Sequence, residues 1–249
     1  MVRIAGIDLL SKTPVVPELM VKLLANVINT KSTEEKQAAL LTLGNMPVKY
    51  SGPVLQSQLD KMSKGELSSD VYIELSEAVD SSHDASLMQQ YKTIAASLSA
   101  DQLTASYAGS LYGGNVEKGR HIFYQGESAQ CIRCHSYNDY GGNAGPRLNG
   151  IASRLTRPQL LQALIDPSAR ISPGFGIVTL SMKNGNTISG VLLEENKTTL
   201  KIKSGNDVID VAVVDVKGRT NQPSSMPDMK ILLDKKQIRD VVSFLATLK

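Results

Sequence analysis

Cys131-Ile132-Arg133-Cys134-His135 is the stretch from which the rest of this sequence is read. Two cysteines separated by two residues and followed at once by a histidine form the attachment signature of a c-type haem. In that chemistry each sulfur adds across one vinyl group of the porphyrin, giving two thioether bonds. The two-residue gap lets a single turn of chain present both sulfurs to one porphyrin edge. The histidine next in line then falls beneath the iron as an axial ligand. The expectation is one covalently attached haem c per chain, with Cys131 and Cys134 binding the cofactor and His135 binding the metal. The chain has only these 2 cysteines, so no disulfide framework competes for them. A zinc site would need two further ligands, yet there is no second CxxC, and His83 and His121 do not stand at finger spacing downstream. A thioredoxin-type CxxC expects a surrounding βαβ pattern, which is absent.

The remaining composition sets broad limits. The 249 residues allow one large domain or two modest ones, and 41% apolar with 20% charged residues is ordinary for a globular protein. A net charge of +3 with no concentrated run of Lys or Arg leaves no footprint for nucleic acid. With no Trp and 3 Phe, the core must be built from Leu, Ile, Val and Ala. No apolar run approaches a membrane span. The opening, Met1 to Leu10, is neither basic nor long enough for a secretory signal. Covalent haem attachment is completed outside the cytoplasm, so a periplasmic or otherwise exported protein is expected. Its export signal or anchor would then be missing from this sequence. The chain is accordingly expected to be a C-terminal piece, with Met1 added for expression.

From residue 13 to about 110, apolar residues recur at three- and four-residue spacing. Pro17–Thr30 carries Leu19, Leu23, Leu24, Val27 and Ile28 in this pattern. Ser32 and Glu35 form a capping box ahead of Ala38–Leu43. Further helices are predicted over Pro53–Met62, Asp70–Val79 and Ala85–Leu98. Short helices with polar joints suggest paired antiparallel repeats of HEAT or armadillo type, with a plain helical bundle as the alternative. His83, in a joint, reads as an exposed turn residue. Gly109, Gly113 and Gly114 mark a boundary, giving a helical-repeat domain at 1–110 and a second domain at 111–249.

In the second domain, helices are predicted over Val116–Tyr124, Pro158–Ile165 and Gln237–Leu248, the last capped by Asp234. Between them, from Gly176, the period changes to two. Strands alternate up to Asn184-Gly185, a type I′ hairpin signal, and continue through Thr187–Leu193, Thr198–Lys203 and Val208–Val216. The result is a four-stranded antiparallel insertion at about 175–217 in an otherwise mainly α chain. Lys217–Asp228 reads as irregular.

A second axial ligand must come from elsewhere. Of 8 methionines, Met20, Met46, Met62 and Met88 read as core or joint residues of the helical region, and Met182 stands on a strand. Met226, on a proline-flanked loop before the last helix, is the favoured candidate. Met229, a histidine or an open position are the alternatives. The His135 ring N–H not facing iron needs an acceptor. Pro146 offers a carbonyl about ten residues on without offering an N–H. Arg147 is a candidate partner for a haem propionate, or a solvated side chain.

These residues, in this order, resemble a class I c-type cytochrome: Gly119 and Phe123 on a first helix, Cys131-x-x-Cys134-His135, Gly145-Pro146-x-Leu148, Met226-Pro227, and Val241 with Phe244 on a last helix. The resemblance implies that the first and last helices cross at Gly119. It also implies that Pro146 accepts from His135 and that Met226 is the distal ligand. A closer likeness, over about Gly109 to Lys249, is to the haem-binding domain that follows HEAT-like repeats at the C-terminus of large exported dehydrogenase-like proteins. It rests on Gly113-Gly114-Asn115-x-x-Lys118-Gly119-Arg120, Asp166-Pro167-Ser168-x-x-Ile171-x-x-Gly174-Phe175, the strand-rich insertion and Ser224-Ser225-Met226-Pro227. The insertion also has a passing likeness to small Sm-like barrels, which carries no RNA binding with it.

The expected role is single-electron transfer through a His/Met-ligated haem, fed by a redox partner protein or an upstream dehydrogenase domain. With both axial positions filled there is no open site for a substrate, so an electron carrier rather than an enzyme is expected. The rival readings are a ligand-binding or peroxidatic haem with an open distal side, and a scaffold in which haem merely staples a small fold.

Overall fold

The computed structural model describes residues 4–7, 16–98 and 102–249, so much of the opening stretch Met1–Leu10 lies outside the described residues. The chain packs as two compact units, Met1–Val116 and Glu117–Lys249.

The first unit is helical. Its helices are α1 (Pro17–Thr30), α2 (Thr33–Gly44), α3 (Val48–Ser63), α4 (Tyr72–Ser82), α5 (Ala85–Ser97) and the short α6 (Gln102–Ser106). α1 packs on α3 and α3 on α5, while α2 packs on α4, so alternate helices form two layers. Leu24, Leu40, Leu43, Leu55, Leu59 and Leu75 are fully buried between them. The reciprocal capping box of Ser32 and Glu35 starts α2 by satisfying two end N–H groups. Helix α3 begins at Val48 rather than at Pro53, because Tyr50 and Ser51 donate to the Pro47 carbonyl and close a first turn ahead of the proline. His83 ends α4 in a left-handed conformation, exposed in the joint. Gln37 reaches the carbonyls of Asp70 and Gly113 at 2.7 and 3.0 Å, tying the glycine-rich boundary segment to this unit.

The second unit overturns the expectation of a mainly α chain with a small β insertion. About 53% of the described residues are helical, but the unit also holds a five-stranded antiparallel sheet and a two-stranded one. Its helices are α7 (Val116–Gln125), α8 (Ile151–Arg154), α9 (Arg157–Ile165), α10 (Met229–Leu232) and α11 (Lys235–Leu245). The small sheet is β1 (Ser136–Tyr137) with β2 (Tyr140–Gly141). The large sheet contains β3 (Ile177–Met182), β4 (Thr187–Glu195), β5 (Thr199–Ser204), β6 (Asp207–Ala212) and β7 (Val216–Asn221), in the order β6-β5-β4-β3-β7. A 3-10 turn, Val213–Asp215, breaks the strand expected over Val208–Val216 and sends the chain across to pair with β3. The stretch expected to be irregular therefore contributes a full strand. Val216-Lys217-Gly218-Arg219-Thr220-Asn221 shows no alternation because it is an edge strand exposed along most of its length, held by main-chain bonds rather than by a buried face.

Val178, Leu180, Leu192, Leu200, Ile202 and Val211 fill the sheet's own core. The β3–β4 hairpin is not the type I′ turn that Asn184-Gly185 suggests. Gly185 has φ +89°, Asn184 does not have a positive φ, and Gly185 N–H bonds the Met182 carbonyl at 3.0 Å. Both central residues of a type I′ turn need positive φ, so the loop is the longer kind closed by one left-handed glycine. Among the described residues no helix is long and apolar enough to cross a membrane.

Candidate functional site

The motif forms one tight turn. Cys131–Arg133 is a 3-10 turn, and the Cys131 carbonyl accepts from the N–H groups of Cys134 (3.1 Å) and His135 (2.9 Å). Residues three apart in such a turn eclipse one another, which brings both cysteines to one side. Both thiols are free, Cys134 exposed and Cys131 half-buried. Burial pushes the Cys131 thiol up to about 11, with the neighbouring Cys134 adding to the rise.

The glycine-rich loop folds back onto this turn. Gly142 N–H donates to the Ile132 carbonyl (2.8 Å), Gly145 N–H to that of Cys134 (2.7 Å) and Leu148 N–H to that of Ser136 (2.8 Å). The fold-back puts the Pro146 carbonyl 2.8 Å from Nδ1 of His135. A carbonyl only accepts, so Nδ1 donates in this bond and Nε2 is the ring nitrogen left for a metal. Gly145 stands directly against the ring: a Cβ there would lie 2.6 Å from Cε1 and 2.8 Å from Nδ1.

A polar hub braces the loop on the far side of Pro146. The Asn149 side chain accepts from Asn138 N–H (3.0 Å) and Arg147 Nε (2.9 Å) and donates to Asn138 Oδ1 (2.8 Å). Arg154 donates to the carbonyls of Arg147 and Asn149. The Arg147 guanidinium is also paired with Asp139 at 2.8 Å. This pair is solvent-exposed.

Behind the motif, α7 and α11 cross at Gly119. A Cβ there would collide with the Asp240 carbonyl and lie 2.9 Å from Phe244 Cβ. Phe123, fully buried, has its ring 5.4 Å from that of Phe244 and 5.0 Å from that of Tyr124. A cleft on the same two helices, lined by Lys118, His121, Ile122, Lys236, Gln237 and Asp240, includes none of the expected site residues.

Cys131, Cys134, His135 and Pro146 are thus brought together in one hydrogen-bonded unit. Met226 is held by other anchors, on the segment between β7 and α10, and is half-buried. Of the other methionines described, Met20, Met46 and Met62 lie in the core of the first unit with Met88 packed against it. Met182 packs on the sheet core, and Met229 is 5% exposed. Among the described residues no group of three or more His, Cys, Asp or Glu is arranged to hold a metal ion.

The roles of Gly142 and Gly145 as close-packing positions, and of Asn149 as a hub, were not read from the sequence. The density of glycine and asparagine after His135 was the only signal for them. No protein-family model and no curated protein matches this chain.

Proposed function

We propose that the second unit is a one-electron carrier that binds one haem c covalently through Cys131 and Cys134, with His135 and Met226 as the axial ligands. The observation that carries this reading is the Nδ1–H···O=C bond from His135 to Pro146, 2.8 Å long, immediately behind the CxxCH turn. It leaves Nε2 as the ring nitrogen available to a metal and fixes the ring's orientation, as a histidine held for a haem iron would be. The residues fit the group: two free thiols lie on one turn, an oriented imidazole follows, and among the described methionines Met226 alone is neither buried nor packed on the core of the first unit or of the sheet.

Bound there, the haem supplies an Fe(III)/Fe(II) couple. The chain's own residues fix how that couple behaves. The Pro146 carbonyl accepts from Nδ1 and holds the ring plane. Gly145 lets the loop close on the ring. Met226 would supply a soft thioether to the iron, which would favour the ferrous state and raise the potential, as suits an electron carrier. The electrons come from a partner redox protein or a linked dehydrogenase domain in an exported compartment, and this unit performs no substrate chemistry of its own.

The test is a spectrum of the oxidised, haem-loaded protein. An Fe(III)–Met charge-transfer absorption that disappears in Met226→Ala, with no carbon monoxide binding to the reduced wild type, is the expected result. Absence of that absorption together with ready carbon monoxide binding would replace this reading with a ligand-binding or peroxidatic haem.

A further inference from the structure

Two anchors flank Met226, and both are made to the same segment. Two residues before it, Ser224 N–H donates to Ser168 Oγ at 3.0 Å, and Ser224 Oγ in turn accepts the N–H of Met226 at 3.1 Å. Four residues after it, Lys230 Nζ donates to the Ile165 carbonyl at 2.9 Å and is paired with Asp228, whose carboxylate caps α10. Ile165 is the last residue of α9, and Ser168 follows it in the turn that leads toward the sheet. The partners are 56 and 65 residues apart in the chain, and the whole five-stranded sheet lies between them. The sheet leaves from, and returns to, one short stretch at the end of α9. That stretch is fixed by its own packing, since Leu160, Leu161, Leu164 and Ile165 are buried and α9 packs on α11.

We infer that Ser168, Ser224 and Lys230 are positioning residues for Met226: they clamp its backbone on both sides to the end of α9, so that the thioether is presented from a rigid base despite the insertion. This inference rests on Met226 being the axial ligand. Without the clamp, a loop returning from a separately folded sheet has to be ordered again each time the ligand binds, and ordering residues opposes ligation. The serine relay is economical of atoms. One hydroxyl, that of Ser224, sits on the segment carrying Met226 and accepts its N–H, while the Ser224 amide is held by Ser168. Neither bond touches the metal-binding atom itself, which makes the effect one of placement.

The experiment uses the full chain loaded with haem, and imidazole as the competing ligand. In Ser224→Ala the Met226 N–H loses its acceptor, and imidazole displaces the thioether roughly fivefold more readily, the change that one hydrogen bond is worth. Ser224→Thr, which keeps the hydroxyl, restores wild-type displacement. Ser168→Ala removes only the acceptor of the Ser224 N–H and gives a change in the same direction; it carries the comparison should Ser224→Ala not fold. Amide hydrogen exchange adds a readout independent of haem, with Met226 N–H losing protection in Ser224→Ala. Unchanged imidazole displacement in both alanine variants, alongside loss of the Fe(III)–Met absorption in Met226→Ala, would overturn the clamp and leave the ligand assignment standing. A lowered melting temperature without altered displacement would likewise make these serines structural only. Persistence of the absorption in Met226→Ala would instead remove the ligand assignment, and the clamp with it.

Discussion

At His135 the position of one proton decides what the ring can do. With Nδ1–H given to Pro146, only Nε2 is left to bind. The partner was legible in the sequence because a proline supplies a carbonyl and no competing N–H. The glycine behind the ring was not, since nothing in a row of loop residues says which of them backs an imidazole. Gly145→Ala therefore tests the geometry directly. Its Cβ would press on Cε1 and Nδ1, and the loop has to shift at a cost of about 1–3 kcal/mol. A lowered melting temperature and a changed reduction potential are expected, and an unchanged potential would show that the ring does not depend on this contact. The thiols make a second prediction. Only the thiolate is alkylated. Burial raises the Cys131 thiol to about 11, so it stays protonated at pH 8, whereas Cys134 is exposed. In haem-free protein, iodoacetamide followed by peptide mass mapping should find Cys134 modified at least about tenfold faster than Cys131. In the haem-loaded protein neither should react. The sign follows from burial: the neutral thiol is favoured, so Cys131 reactivity rises only as pH climbs toward its raised value.

Elements with a one-sided apolar stripe and explicit caps were the legible ones. The helix Pro17–Thr30, the Ser32–Glu35 capping box and the Asp234 cap of the last helix could be read, although Leu19 and Leu23 of the expected stripe are exposed and Met20, Leu24 and Ile28 form the buried face. The capping box of Thr156 with Gln159 that starts α9 was not read. Strand β7 could not, because an edge strand exposed along most of its length needs no alternation of side chains. The β3–β4 turn was misread because Asn-Gly permits a type I′ turn without requiring it, and here Asn186 N–H is taken by Asn184 Oδ1 inside a longer loop. At this scale the crossing of α7 and α11 is the contact to break. Gly119→Val would force the helices apart at the Asp240 carbonyl and should cost about 2–4 kcal/mol, read as a lower denaturant midpoint. Gly185→Ala should cost only about 1 kcal/mol, from the positive φ alone, since nothing lies within 4 Å of the position of its Cβ.

On the scale of the molecule, each unit has its own apolar core: two layers of helices in one, and helices with a five-stranded sheet in the other. The fold class was the part of the sequence reading that failed. Four strands were visible by their period, but the fifth, which makes the sheet a substantial layer, was not. If the second unit alone carries the cofactor, a chain of residues 111–249 made with haem-attachment machinery should show the same covalent haem and the same potential as the full chain. The helical unit alone, which lacks the motif, should carry none. The most direct measurement is a pyridine haemochrome and an oxidised spectrum of the full chain produced with that machinery. One covalently bound haem per chain, with an Fe(III)–Met absorption lost in Met226→Ala, is the expected result. A chain that attaches no haem through Cys131 and Cys134 would contradict the central claim.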